Sequence, residues 1–544
     1  MAVMWPILLF DKYSWKMRKT ILFLAAALVG TSAITARQMT IDNKLRYAGK
    51  IVESFYVDSI NSDSIAEEAI RAMLKTLDPH SQYSDQEETR ELTEPLQGNF
   101  SGIGIQFNML NDTLYVIQPV AGGPSEKVGI LAGDRILSAN DTLISGVKKK
   151  NADIIKILRG EKGSKVNVKV LRPGQKDVID FRITRADIPI YSVDASYMAA
   201  PGVGYVKISR FAEKTAEEVR DAVKELKKQG MKDLIIDLEY NGGGYLNAAT
   251  ELAEMLLNTD DMIVYTKGDK SPYKEYRAGA VKRLTDGKIV IMVDQYSASA
   301  SEILSGAVQD NDRGLIVGRR TFGKGLVQRP FPFPDGSMIR LTVARYYTPS
   351  GRCIQKPYAD GEDAYENDIL NRLNSGELTN ADSVHVNAAE QYKTLRNGRT
   401  VYGGGGVMPD LFVALDTTGT SSYSRDLLAK GVYNSFCVNY IDQHRKELKK
   451  LYKNEDLFVE KFTVDDQLLG QFRDYAAKEG VEFNQEGYEK ALPTIKSIVK
   501  AIIGRDLFTQ STYYRVVNED NKVYQQALRL ISDDNEYNRL LNKN

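Results

Sequence analysis

The sequence predicts an α/β protein whose core alternates strand and helix, interrupted by a small glycine-punctuated domain and flanked by helical regions. Three observations carry this. Between 187 and 350, short apolar runs such as Asp233-Leu-Ile-Ile-Asp-Leu238 alternate with amphipathic stretches such as Ala216 to Gln229, the pattern of buried strands returning through surface helices. Two glycine-rich motifs, Phe100-Ser-Gly102-Ile103-Gly104-Ile105 and Gly129-Ile-Leu-Ala-Gly133-Asp134, mark a separate domain over 98–185. Helical spacing occupies both flanks, through Ile51, Phe55, Ile65, Ile70, Met73, Leu74 and Leu77 ahead of that domain and from about Ser421 to the end.

The amino-terminal stretch comes first in order. Arg18-Lys19 precede the apolar run Ile21 to Ala36, which ends in the small residues Ala33 and Ala36. A charged start, a short apolar middle and a small-residue end make a secretory signal over 1–36, with 1–16 as an upstream extension ahead of Met17. An uncleaved signal anchor is the alternative, although the run is short for a stable span. The expected location is the periplasm or another exported site, or the membrane surface if the segment stays attached. No cysteine lies near the cleavage region, so a lipid-modified amino terminus is not expected.

Composition narrows the function classes. The 544 residues carry 72 basic and 72 acidic side chains, a net charge of zero, which argues against a chain-wide field for nucleic acid or membrane. Cys353 and Cys437 are the only cysteines and are left open as free, buried or paired. With no Cys/His cluster, neither a structural zinc site nor any other metal is expected.

Residues 38–97 form the amino-terminal helical region and close on the turn Leu77-Asp-Pro-His-Ser-Gln-Tyr83, where His80 reads as a capping or packing residue. The core, 186–415, starts with the strand Val203-Gly-Tyr-Val-Lys-Ile208. The strand from Asp233 ends in Asn241-Gly242-Gly243-Gly244, and Ile289-Val-Ile-Met-Val293 leads into a serine-rich stretch. Ile339 to Val343 is expected to continue the same sheet, 356–402 is a polar insertion, and 416–544 is a second helical region whose tyrosines serve as packing residues.

The reactive candidates lie between Gln295 and Gln328. In Gln295-Tyr-Ser-Ala-Ser299-Ala-Ser-Glu302 the helical spacing begins at Ala300, so Ser299 sits where strand gives way to a helix N-terminus, beside unpaired N–H groups suited to a developing oxyanion; Ala300 N–H is the nearest donor. The only histidines, His80, His385 and His444, are distant in sequence. Lys324, in Thr321-Phe-Gly-Lys324-Gly-Leu-Val-Gln328, is the nearer base: a desolvated ammonium loses its proton near neutrality, and Gln328 would orient the amine. Gly318 to Lys324 also satisfies GxxxxGK, but Gly325 stands where a phosphate loop needs Ser or Thr.

These residues together resemble the carboxy-terminal processing, or tail-specific, serine proteases over most of 40–415. The resemblance implies a crotonase-like serine protease core, Ser299 as nucleophile, Lys324 as general base, Gln328 as its partner, and Gly243 or Gly244 beside Ala300 in the oxyanion hole; Glu239 stands where the family carries arginine. Residues 98–185 resemble a PDZ domain, with Gly102, Ile103, Gly104 and Ile105 as its carboxylate-binding loop, a use of converging backbone amides and strand addition. The implied activity is endopeptidase cleavage of exported proteins near their carboxy terminus, with no cofactor and with polypeptides bearing an apolar tail as partners. Arg159 is a candidate sensor of the tail, and the carboxy-terminal helices are candidates for a homo-oligomer or adaptor interface. The rival from another class is a non-catalytic PDZ adaptor with a lapsed protease core.

Overall fold

The structure is a computed structural model that describes residues 39–384 and 388–542. The expected signal, 1–36, and His385 lie outside the described residues. By compactness the chain divides after Ala72. In the first unit the helix Ile41–Phe55 is capped by Thr40, whose hydroxyl accepts from Asn43 N–H, and none of its residues is buried.

In the second unit the core is built on a six-stranded sheet, counted among the described residues, whose spatial order follows the chain. Its strands are β1 (Val193–Ala200), β2 (Val203–Ile208), β3 (Asp233–Asp237), β4 (Ile289–Val293), β5 (Leu315–Gly318) and β6 (Leu411–Phe412). Only β1 runs antiparallel to its neighbour. Parallel strands are covered on both faces, which is why β4 is apolar at every position. Alternate side chains then serve different layers. Ile236, Ile289, Ile291 and Ile316 pack under α1 (Thr215–Lys228), α2 (Leu246–Glu254) and α3 (Ala300–Asp310). Ile235, Val290, Met292 and Val317 face Val523, Leu530 and Ile531 of α4 (Lys522–Ser532) and Tyr537, whose hydroxyl donates to the Ile289 carbonyl at 2.9 Å.

The end of the carboxy-terminal helical region is therefore also a layer of the core. Between them, Tyr423 to Leu507 close a core of their own around Phe436, Phe458 and Phe472. Ile339 to Val343 also departs from expectation. It lies in Met338–Tyr347, which pairs antiparallel with Leu326–Pro332, Gln82–Ser84 and Met262–Gly268 in a second sheet. The turn at Pro334-Asp-Gly336 makes the adjacent strand the nearest partner, and closing so short a loop costs less entropy than reaching the central sheet.

Two further consequences bear on the site. The pairing of Gln82–Ser84 with Met338–Tyr347 carries the turn at Asp78 to Ser81 beside the lysine strand, where Thr342 Oγ1 donates to Asp78 Oδ1 at 3.0 Å. The polar insertion is anchored: Tyr365 and Leu378 are buried, and Arg372 shares the Glu377 carboxylate with Arg320. The glycine-punctuated domain is a five-strand antiparallel path from Ile105–Leu110 to Val178–Thr184 with the helix Asn151–Leu158 over Ile136 and Val168. It joins the core through the paired strands Asn99–Gly102 and Ala186–Pro189.

Candidate active site

Ser299 lies between β4 and α3 with φ 56° and ψ −112°, a conformation that residues with side chains avoid. Its surroundings hold it there. Asp294 Oδ1 accepts from Tyr296 and Ser297 N–H, each at 3.0 Å, folding the approach tightly, and Ala298 N–H donates to the Asn241 carbonyl at 3.0 Å. From the other side comes Gly243, with φ 103°. A Cβ at this position would lie 2.8 Å from both Ser299 Cβ and the Ala298 carbonyl oxygen, so only glycine lets the loop after β3 approach this closely.

The contact that joins the two halves of the site is made by Glu302, which has no exposed surface. One of its oxygens, Oε2, accepts from Ser299 N–H and Lys324 N–H, both at 2.8 Å; the other accepts from Gly323 N–H at 2.8 Å and from the Thr321 hydroxyl. Tyr346 adds a second tie, its hydroxyl donating toward the carbonyls of both Ser299 and Lys324. Burial pushes the Glu302 carboxyl upward, against the four donors that favour its charge.

Lys324 Nζ donates to Gln328 Oε1 at 2.9 Å and makes no hydrogen bond with Ser299 Oγ. Catalytic contacts of this kind commonly tighten only when substrate is bound. Burial, and then the charge of Arg340, bring the lysine down to about 8, while Glu302 and Asp78 pull the other way. Gln328 Nε2 donates to the His80 carbonyl. Because a carbonyl only accepts, that bond decides which end of the Gln328 amide faces Lys324, and the lysine must donate to it. The amine's lone pair is left for Ser299. Neither His80 nor His444 is hydrogen-bonded to the serine.

Ala300 N–H, at the first position of α3, has no acceptor among the described residues. Gly243 packs on Ser299, but its N–H donates to Asn241 Oδ1 at 2.9 Å, so it does not stand free in this arrangement. Gly244 N–H has no acceptor among the described residues; the bridge to Phe211 uses Gly243 O and Tyr245 N–H, which turns the Gly244 amide away from Phe211. Of the two glycines the sequence offered, Gly244 is the one with a free donor.

The remaining candidates are apart from this cluster. Gly102 closes a strand, and Ile103 and Gly104 form the link to the strand that Ile105 opens; Gly104 has φ 73° and lies beneath Ile188 and Pro124. The N–H groups of Ile103 and Gly104 have no acceptor among the described residues, as a carboxylate-binding loop requires. Arg159 pairs with Glu94 and lies 4.5 Å over the Phe100 ring. Cys353 and Cys437 are both free. A phosphate loop is ruled out locally: Glu302 occupies the amides of Gly323 and Lys324, and the strand Leu326–Pro332 follows where a helix would be needed.

Sequence reasoning missed Glu302, Thr321, Tyr346 and the His80 carbonyl. Only Glu302 had a local signal, since it stands three residues after Ser299 in capping-box spacing. Glu239 is buried with Arg319 Nη2 at 3.6 Å and accepts from Asn521 Nδ2 at 2.8 Å, while burial and then the charge of Asp237 push its carboxyl up to about 8.

Fold and site together define a serine peptidase with a peptide-binding domain inserted ahead of its core. Residues 202–361 match peptidase family S41, 101–183 match the PDZ domain, and 423–509 match a family of unknown function. The chain is 36% identical over 340 residues to the carboxy-terminal processing protease CtpB of Bacillus subtilis, covering 61% of this chain and 69% of that protein. It is 35% identical over 353 residues to the carboxy-terminal-processing protease of Bartonella bacilliformis, covering 62% and 80%. Among solved structures, the photosystem II D1 C-terminal processing protease matches at 31% identity with a TM-score of 0.33, over 58% of this chain and 91% of that one. The chain belongs to peptidase family S41, among the carboxy-terminal processing proteases.

Proposed function

We propose that this protease is an endopeptidase that cuts exported proteins near the carboxy terminus, using Ser299 as nucleophile and Lys324 as general base. The observation that carries the reading is the single Glu302 oxygen that takes the amides of both residues, fixing nucleophile and base to one rigid group. Ser299 Oγ attacks the scissile carbonyl as Lys324 takes its proton, and the Ala300 amide, with that of Gly243 or Gly244, receives the oxyanion. Lys324 then returns the proton to the amine as the C–N bond breaks, and water, deprotonated by the same lysine, releases the acyl group from Ser299 as the new carboxylate.

In this reading the PDZ domain selects the substrate. The unpaired amides of Ile103 and Gly104 suit a terminal carboxylate, and the strand beginning at Ile105 offers an edge for the apolar residues before it. An unfolded protein with an apolar tail is expected to be cut about tenfold faster with a free carboxy terminus than with an amidated one. Ile105→Asp, which sets a carboxylate beside the loop, should remove that preference. Equal rates for both substrates, in the parent and in the variant, would show that the domain does not read tails. The expected signal over 1–36 supports an exported protein, which amino-terminal sequencing of the mature chain from fractionated cells checks. Recovery of the full-length chain from the cytosol would overturn it.

A further inference from the structure

The general base is held by a chain of contacts that ends in the insertion. Lys324 Nζ donates to Gln328 Oε1, Gln328 Nε2 donates to the His80 carbonyl, and His80 Nε2 meets the Tyr365 hydroxyl at 2.7 Å. That hydroxyl also accepts from Gln355 Nε2 at 3.3 Å. Tyr365 is 5% exposed although the stretch around it is polar. Its ring meets those of His80 and Phe322 edge-on, at 5.2 and 6.0 Å. Lys356 Nζ lies 4.0 Å from the Phe322 ring and 4.1 Å from the Tyr365 ring, and also donates to the Tyr365 carbonyl at 3.0 Å. Cation–π contacts to both rings, with a hydrogen bond to the Tyr365 backbone carbonyl, leave the tyrosine little freedom. It touches the lysine loop through Phe322 and the lysine's partner through His80.

We infer that Tyr365 is a positioning residue for the general base: its hydroxyl fixes His80, whose carbonyl sets the Gln328 amide and so leaves the Lys324 lone pair free for Ser299. This rests on the Ser-Lys reading of the reaction. His80 suits the part because it stays neutral: burial first, and then the charges of Lys324 and Lys356, bring it down to about 3. The charged groups that act on Lys324 are Glu302 from α3, Arg340 from Met338–Tyr347 and Asp78 from the turn. Tyr365 adds no charge there, since burial raises its phenol well above the ordinary value. Removing the hydroxyl therefore changes position without changing charge.

The test is Tyr365→Phe in the full chain, which keeps the ring. With an unfolded protein substrate, kcat is expected to fall about tenfold at unchanged KM, and the rising limb of its pH profile to move by about half a unit as the lysine loses its fixed partner. His80→Gln, which keeps a polar group within reach of the phenol, should stay closer to the parent than His80→Ala. Parent-like kcat and limb in Tyr365→Phe would overturn the inference, and so would a lower kcat with an unmoved limb, which marks packing alone. If Tyr365→Phe is thermally destabilised, the His80 pair decides, and equal losses in the two count against the role. Ser299→Ala and Lys324→Ala run alongside separate the two readings. Turnover by either sinks the Ser-Lys reading itself, whereas two dead controls with a silent Tyr365→Phe sink only the positioning role.

Discussion

Replacing Lys324 by alanine is expected to lower turnover of an unfolded protein substrate by roughly a thousandfold or more, the scale of loss when a serine nucleophile is left without its base. Ser299→Ala should lose as much, and the double variant no more, because the two residues act as one unit. Both variants should keep the fold. Lys324 is only partly buried and its side chain bonds to Gln328 alone, while the Ser299 backbone, not its hydroxyl, carries the contacts to Glu302 and Tyr346. The pH dependence has a definite sign. The lysine acts only when unprotonated, so with its pKa lowered to about 8 the parent's kcat/KM should climb about tenfold per pH unit below that value and level off above it. Normal turnover by either single variant, or a flat profile between pH 6 and 9, would remove the lysine from its role.

Glu302→Gln is the second large effect, and it separates charge from shape. The carboxylate accepts two hydrogen bonds on each oxygen, all four from groups that can only donate there or are turned to donate. A glutamine of the same size must present its NH2 to one pair of donors, whichever way the amide is turned. Two buried donors lose their acceptor and face another donor, at a cost of about 3 kcal/mol. If Oε2 is the one replaced, the tie between Ser299 and Lys324 breaks, and activity should fall about a hundredfold beyond what the loss of folded protein explains. Thermal unfolding together with the specific activity of the folded fraction measures both. A variant with the parent's stability and activity would show that Glu302 does not hold the site together.

Legibility divided along the range over which each feature acts. β2, β3 and β4 were readable because short runs rich in β-branched and other apolar residues, bounded by glycine and polar turns, have few other solutions. The motifs that carry Ser299 and Lys324 were readable, and the structure brings the backbone amides of both onto one carboxylate. Tyr346 and the His80 carbonyl were not readable. A tyrosine in a strand looks like packing, and a backbone carbonyl has no residue identity to recognise. The Gly243 amide was assigned from the same glycine loop, but its engagement by Asn241 two residues earlier depends on a side-chain rotamer that no local pattern specifies. The destination of the final helices was hidden for a related reason: the apolar stripe of Lys522–Ser532 says that one face is buried, not which surface receives it.

By itself, the sequence determined most strands and helices of the core, that Ser299 stands at a helix start with Lys324 and no histidine near it in the chain, and that a glycine-rich domain precedes the core. These are properties of short stretches, set by backbone conformation and by the period of apolar side chains. Only the tertiary structure decided that Met338–Tyr347 belongs to a second sheet, that the chain's end covers the far face of the first, and that Glu302, His80 and Tyr365 converge on the lysine from residues as far apart as 80 and 365. Such contacts depend on which buried donors and acceptors meet once the layers have packed. Each polar group had several chemically acceptable partners in the chain, and packing selected one.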